Sequence, residues 1–158
     1  MAKKSGQSTI LQYVSFALGK EIFSIDVMKI HGVERIMEIT IIPDYPDFIE
    51  GVINLRGQII PIIELRKRFR IPPAEHGKET RIMLVEINKM IVGIIVDRVF
   101  EVLQFDEHQI GQMPKVGTST VKQKFVLGVV EQKNNLVILL DIDKLFTEEE
   151  AITLSASV

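Results

Sequence analysis

The histidine and serine residues of this 158-residue chain do not occur in the spacings that catalysis or metal binding requires. His31, His76 and His108 are far apart and form no HExxH pair, so we interpret them as surface or turn residues. Ser119-x-x-Lys122 lacks the Ser-Asp-Asn and Lys-Thr-Gly companions of a serine acyl-transfer site. Cysteine is absent, which excludes thiolate metal sites and cysteine nucleophiles. The sequence therefore predicts no enzymatic activity, no metal and no cofactor.

Two charged segments resemble binding motifs only in part. Asp141-x-Asp143 followed by Glu148 has the beginning of a calcium loop, but Leu145 occupies the fifth position and the required glycine is missing. We interpret this segment as a solvated helix with an acidic end. The basic run at 66–70 predicts a solvated strand end, because the net charge of −2 and the aromatic content of 6% do not favour nucleic-acid binding.

The tripeptide Asn54-Leu55-Arg56 is the best candidate for a contact site. It stands ahead of Gly57, which supplies the positive φ of a tight hairpin turn. The planar guanidinium of Arg56 has five donors that suit a partner's carboxylate or carbonyl groups. Two interpretations remain open here, a contact site and a turn that requires only Gly57.

The elements that hold this hairpin belong to an internal repeat. Residues 48–69 align without a gap with residues 125–146, and ten of the eleven apolar residues of the first segment meet an apolar residue in the second. Residues 13–33 align in the same way with residues 82–102. Two copies of one small β unit are therefore predicted, and such units usually bind partners.

Five short strands per copy, with tight turns between them, predict an all-β fold with short helices. We expect two small closed barrels that share a hydrophobic core, because a unit of about 70 residues would be marginal alone. A single domain is predicted over 10–147. Its two subdomains are expected at 10–72, together with a terminal helix at 141–150, and at 78–140. Residues 1–9 and 151–158 are expected to be flexible termini, and the absence of a leader or a long apolar run predicts a cytoplasmic protein.

The segment GVINLRGQIIPIIELRKRF, the opening YVSFALGKEIFSIDVMKI and VGIIVDRVFEVL in the second copy are similar to the CheW family of bacterial chemotaxis coupling proteins. The similarity extends from about residue 12 to residue 146. It implies two SH3-like barrels and a non-catalytic adaptor that links transmembrane chemoreceptors to the histidine kinase CheA, whose regulatory domain has a similar fold. The adaptor would be recruited to membrane receptor arrays through these partners, without inserting into the membrane.

The resemblance also implies two sets of binding residues. The kinase-facing set carried over by position is Ile30, Phe48, Gly51 and Val52. The set that would line or support the receptor groove is Arg56, Gly57, Ile82 and Val102.

The chain departs from the family pattern at one position of the kinase-facing end. The family commonly has Glu two residues after the position of Ile30, and this chain has Gly32. Glu34 is the candidate replacement, because it falls on the same face of the strand.

Two other functions remain as alternatives. One is a CheW-like regulatory module of a larger signalling protein. The other is a nucleic-acid-binding tandem barrel, which would be expected to show a basic face and stacking aromatic residues.

Overall fold

The structure, a computed structural model, describes residues 9–112 and 123–157, in which strands predominate. The strands are β1 Ile10–Leu18, β2 Glu21–Asp26, β3 Ile30–Arg35, β4 Ile49–Leu55, β5 Gln58–Glu64, β6 Arg81–Ile87, β7 Met90–Val96, β8 Arg98–Asp106, β9 Val126–Gln132 and β10 Asn135–Leu140. The helices are α1 Leu65–Arg68 and α2 Glu148–Ser157, with 3-10 turns at Val27–Lys29, Glu107–Gln109, Gln123–Phe125 and Ile142–Lys144. The predicted all-β class with short helices and five strands per copy is confirmed.

The ten strands form two five-stranded sheets with matching order. Sheet I has the order β8-β1-β2-β10-β9, and sheet II has the order β3-β6-β7-β5-β4. In both sheets one pair is parallel, β2 with β10 and β5 with β7, and the other pairs are antiparallel. The two sheets are therefore related by the internal repeat, and each has the strand number of an SH3-like barrel.

The boundary that we expected between the subdomains does not separate the sheets. Sheet I takes β1 and β2 from the first copy and β8, β9 and β10 from the second, whereas sheet II takes the complementary five strands. The division into 10–72 and 78–140 is therefore corrected: the copies exchange their first hairpins. Strand pairing between distant segments decides this exchange, and the repeat alone does not reveal it.

Three clusters of buried apolar side chains fill the fold. Tyr13, Leu103 and Phe105 belong to the cluster enclosed by sheet I, and Ile53, Ile62, Ile82 and Leu84 belong to the one enclosed by sheet II. The largest cluster takes residues from both sheets, such as Phe16 and Phe23 from sheet I and Ile63 and Val85 from sheet II. The predicted shared core is thus present between the barrels.

A short bridge closes each barrel at the same place in the repeat. In sheet II, Val52 N donates to Thr40 O at 2.9 Å and Thr40 N donates to Val52 O at 2.8 Å. In sheet I, Val129 N donates to Gly111 O at 2.9 Å and Gly111 N donates to Val129 O at 2.8 Å. Because these bonds join the segment after the edge strand β3 or β8 to the opposite edge strand, they occupy backbone groups that an open edge would leave unpaired.

Ion pairs stand at both places where the chain crosses between the sheets. Asp97, between β7 and β8, accepts from Arg66 Nη2 at 2.5 Å and from Gly19 N at 2.8 Å. Lys29, between β2 and β3, is 3.1 Å from a carboxylate oxygen of Asp143. The Arg66–Asp97 pair is partly buried, so it resists screening better than the exposed Lys29–Asp143 pair.

The C-terminal end of the chain differs from the expectation. The helix predicted at 141–150 is a 3-10 turn followed by α2, which extends to Ser157. A capping box explains the later start, since Thr147 N donates to Glu150 Oε1 at 2.8 Å and Glu150 N donates to Thr147 Oγ1 at 3.1 Å. Leu154 is buried in the shared core, so a flexible tail at 151–158 is wrong for residues 151–157. The flexible arm predicted at 1–9 falls, except for residue 9, outside the described residues.

The buried carboxyl group of Glu64 is expected to make the free energy of unfolding depend on pH. Its carboxylate caps α1 by accepting from Arg66 N at 3.3 Å, and burial, reinforced by the charge of Glu50, raises its pKa above the usual value. A carboxyl group with a raised folded pKa stabilises the fold fully only below its unfolded pKa, and this contribution is lost as the pH rises through the folded pKa.

We therefore expect Glu64→Gln to raise the free energy of unfolding at pH 7 by about 1 kcal/mol, with the gain disappearing near pH 4. The amide oxygen can still accept from Arg66 N, so the cap is retained. Urea unfolding at pH 4, 5.5 and 7 measures the effect, and Asp141→Asn is the matched control at the repeat-equivalent cap. The prediction would be refuted if the difference in free energy of unfolding between Glu64→Gln and the wild type were the same at all three pH values.

Candidate partner-binding surfaces

The turn between β4 and β5 has both central residues in the left-handed region. The φ angles are 52° at Arg56 and 86° at Gly57, the combination of a type I′ hairpin turn. The side chain of Asn54 accepts from Gly57 N at 3.0 Å and fixes the turn. The structure thus assigns Asn54, as well as Gly57, a local structural role that sequence reasoning missed, although Asn is a familiar turn residue.

Arg56 is the member of the tripeptide that projects from the fold. Leu55 packs against the apolar cluster of sheet II, whereas Arg56 is exposed. No other described residue forms a hydrogen bond or an ion pair with its guanidinium. Ile59, on the neighbouring strand, is 46% exposed. The tip therefore combines a cation that is not neutralised by the described part of the chain with an accessible aliphatic surface.

The repeat-equivalent hairpin of sheet I has a different electrostatic character. Its turn residues Lys133 and Asn134 also have positive φ angles, 49° and 67°. However, Lys133 Nζ lies 3.3 Å from Glu101 Oε1, so its charge is partly neutralised. The two hairpins share backbone geometry, and a guanidinium that no described residue pairs with distinguishes the tip of sheet II.

The four residues of the predicted receptor set occupy three kinds of environment. Arg56 and Gly57 are exposed at the tip, whereas Ile82 has 0% exposure inside the cluster of sheet II. Val102 is 51% exposed and lies on β8 of sheet I, opposite Val14. Ile82 can only support a binding surface from within, and the three exposed residues are divided between the two sheets.

The predicted kinase set also combines buried residues with partly accessible ones. Phe48 is 7% exposed and packs against Phe146 at 5.4 Å between ring centroids. Gly51 is buried at the barrel closure, where a Cβ atom would overlap the carbonyl oxygen of Thr40. Val52 and Ile30 are half-buried and lie on β4 and β3, the two edges of sheet II.

The replacement suggested for the missing family glutamate has suitable geometry. Gly32 and Glu34 are both half-buried and alternate with exposed residues, so they share one face of β3. A carboxylate oxygen of Glu34 lies 4.0 Å from the position that a Cβ of Gly32 would take. Val33, which aligns with Val102 in the repeat, is 42% exposed beside them and was missed as a candidate surface residue.

Most cations of the basic run are paired within the fold, and most of the run is helical. Residues 65–68 form α1, which corrects the expected strand end. Arg66 pairs with Asp97, Lys67 with Glu50 at 3.3 Å, and Arg68 with Glu150 at 2.7 Å. Arg70 is the remaining cation, and its side chain has no hydrogen bond or ion pair with any described residue.

The described ranges 9–112 and 123–157 contain no group of three His, Asp or Glu side chains placed to hold a metal ion. His31 Nε2 instead lies 3.0 Å from Glu86 Oε1. Ser119 and Lys122 fall outside the described residues. Among the described helices, none has the length and apolar character needed to cross a membrane.

The sequence profile of the CheW-like domain matches residues 12–150 of this chain. The chain belongs to the CheW-like family. The resemblance that the sequence segments indicated is thus confirmed.

Curated relatives and a solved structure agree with this membership. The chain is 33% identical to a chemotaxis protein CheW of Klebsiella aerogenes over 95% of this chain and 90% of the relative. It is 36% identical to a CheW of Treponema pallidum, with coverage of 88% and 84%. The crystal structure of the scaffolding protein TtCheW from Thermoanaerobacter tengcongensis superposes with a TM-score of 0.81 at 37% identity, covering 95% of this chain and 96% of that one.

Proposed function

We propose that the protein is a non-catalytic adaptor that couples the cytoplasmic tip of chemoreceptors to the histidine kinase CheA. The observation that carries this proposal is the exposed guanidinium of Arg56, which has no partner among the described residues, on a hairpin fixed by Asn54 and Gly57. A rigid turn reduces the entropy that the contact residue loses on binding. The family membership supports the chemotaxis role.

The proposed receptor contact uses Arg56 and Gly57 at the tip, with Val102 on β8 as an accessible apolar residue. Ile82 supports this surface from the interior of sheet II. A guanidinium at an aliphatic surface suits a partner that offers carboxylates or carbonyl oxygens beside apolar side chains.

The proposed kinase contact uses Ile30 and Val52 on the edge strands of sheet II, supported by Gly51 at the barrel closure and by Phe48 in the shared core. Glu34 would supply the polar contact in place of the missing family glutamate. Contacts near the low end of interface sizes, about 800 Å² per partner or less, would keep each interface exchangeable, while a receptor array adds avidity.

Coupling between receptor and kinase would follow from linkage. An adaptor changes kinase activity only if its contacts differ in free energy between the signalling states. We propose that the protein acts in the cytoplasm and is recruited to membrane receptor arrays by its two partners.

The charge reversal Arg56→Glu is expected to weaken binding to a receptor cytoplasmic fragment by about tenfold or more and to abolish receptor control of the kinase. Binding to the kinase regulatory domain and thermal stability should stay at wild-type values, because Arg56 has no described side-chain partner within the fold. Titration calorimetry and kinase assays in reconstituted receptor arrays measure both effects.

Lys133→Glu provides the matched control, since it makes the same charge reversal at the repeat-equivalent turn. It should leave receptor binding within about twofold of the wild type, because the proposal assigns no receptor contact to that turn. Equal loss in both variants would point to a non-specific electrostatic effect, and receptor control that survives Arg56→Glu would overturn the role of the tip.

A further inference from the structure

Arg70 occupies a backbone position where a glycine is usual. It follows α1, and Ile71 N donates to Arg66 O at 2.7 Å while Arg70 N donates to Lys67 O at 3.3 Å. These are the two bonds of a Schellman motif, in which the residue after the C-cap adopts the left-handed conformation. Arg70 has φ 59°, so an L side chain is held where glycine is favoured.

Two arginines of the described chain, Arg56 and Arg70, have positive φ angles. Both are exposed, and neither forms a side-chain hydrogen bond or ion pair with a described residue. A glycine or asparagine would satisfy the backbone at either position at lower cost. The function proposed for Arg56 leaves Arg70 unexplained.

Arg70 lines a groove of about 210 Å³ beside the proposed kinase-facing end. Asp47, Phe48, Lys67 and Arg68 complete its lining. The guanidinium of Arg68 lies 4.7 Å from the Phe48 ring centroid and also binds Glu150 through two nitrogens, so it forms a fixed wall. Lys67 is paired with Glu50, which leaves Arg70 as the cation of the groove without a described partner.

We propose that this groove binds a carboxylate side chain of a protein partner through the guanidinium of Arg70. The partner is the kinase regulatory domain, so the proposal rests on the adaptor function and adds a polar anchor to the kinase contact. Phe48, in the set assigned to the kinase, lines the same groove, which makes the two surfaces continuous.

The charges around the groove favour a single carboxylate over a polyanion. Asp47 lines the groove, and Glu50 and Glu150 neutralise two of the neighbouring cations. A phosphate backbone or an anionic membrane would bring several negative charges close to these carboxylates. One planar guanidinium without a described partner instead matches the bidentate geometry of one carboxylate.

The test measures binding of the full-length chain to the kinase regulatory domain by titration calorimetry at two salt concentrations. Arg70→Gly is expected to weaken binding about tenfold. Arg70→Glu should bind more weakly than Arg70→Gly, and the affinity of Arg70→Lys should lie between those of the wild type and Arg70→Gly. The wild-type affinity should fall more steeply with salt than that of Arg70→Gly. The melting temperature of Arg70→Gly should equal or exceed that of the wild type, because glycine suits the backbone at this position.

Lys89→Gly and Lys89→Glu are matched controls, because Lys89 is an exposed cation with φ 66° in the turn between β6 and β7. They should leave kinase binding unchanged, and receptor binding should be unchanged in all the Arg70 variants. This pattern would support an Arg70 contact that is separate from the receptor tip.

Wild-type binding that persists unchanged in Arg70→Gly and Arg70→Glu would overturn the groove proposal while leaving the adaptor function intact. A wild-type chain that does not bind the kinase domain would overturn both. Arg70-dependent binding to phosphatidylglycerol vesicles or to a single-stranded oligonucleotide, with kinase binding unchanged, would also overturn the carboxylate proposal.

Discussion

Gly51→Ala is expected to lower the free energy of unfolding by about 3 kcal/mol or more. The added Cβ would overlap the carbonyl oxygen of Thr40 and approach Ile39 Cγ2 to 2.9 Å, and the φ of 156° disfavours an L side chain. The overlap falls on the bridge that closes sheet II, so relief would require the Thr40–Val52 hydrogen bonds to separate. Urea or guanidinium unfolding measures the loss.

Two other glycines make this prediction specific. Gly128→Ala should destabilise to a similar extent, because its Cβ would stand 2.5 Å from Ile110 Cγ2 and 2.7 Å from Gly111 O at the equivalent closure. Gly77→Ala, where the Cβ would meet no atom within 4 Å, should change stability by less than about 0.5 kcal/mol. If Gly51→Ala kept full stability yet lost kinase binding, Gly51 would be a direct contact residue instead of a structural one.

Cleavage of the chain between the two copies is expected to leave a stable complex of two fragments that do not fold alone. Residues 72–79 are exposed and belong to no strand or helix, so a protease site placed after Glu75 should be cut without loss of structure. Each half would carry two strands of one sheet and three of the other. Because both sheets need strands from both halves, neither fragment can close a barrel or bury the shared core.

The fragments should therefore co-elute after cleavage and melt in one transition. After separation in denaturant, each should lose the β-sheet circular dichroism signal, and mixing should restore it. The uncut chain that carries the same protease site is the control for the inserted sequence. Cooperative unfolding of either isolated half would show that the copies are independent barrels divided at the linker, as the order of the sequence suggested.

Local features of the fold were predictable from the sequence because their causes are local. Gly57 indicated a hairpin turn, and its φ angle is positive. The apolar periodicity of the repeat predicted strand number and class. The capping box at Thr147 and Glu150 was also readable, and it would have placed the start of α2 correctly.

The binding surfaces were predictable only in part. Family resemblance selected Arg56, which the structure exposes, and Ile82, which it buries completely. Alternation along a strand places residues on two faces, but the alternation does not indicate which of the two faces is buried in a core. Arg70 could not be singled out within the basic run, because only the tertiary structure shows that its neighbouring cations pair with distant acids.

By itself, the sequence determined that this protein is a duplicated β unit of the CheW family with a guanidinium at one hairpin tip. Only the tertiary structure decided that the copies exchange their first hairpins, that Gly51 and Gly128 lie against the bridges that close the barrels, and which cations have no partner among the described residues. Turn conformation depends on a few neighbouring residues, whereas sheet partners and ion pairs join residues that are up to a hundred or more positions apart. The free energy of such contacts depends on which surfaces meet, and no local pattern contains that information.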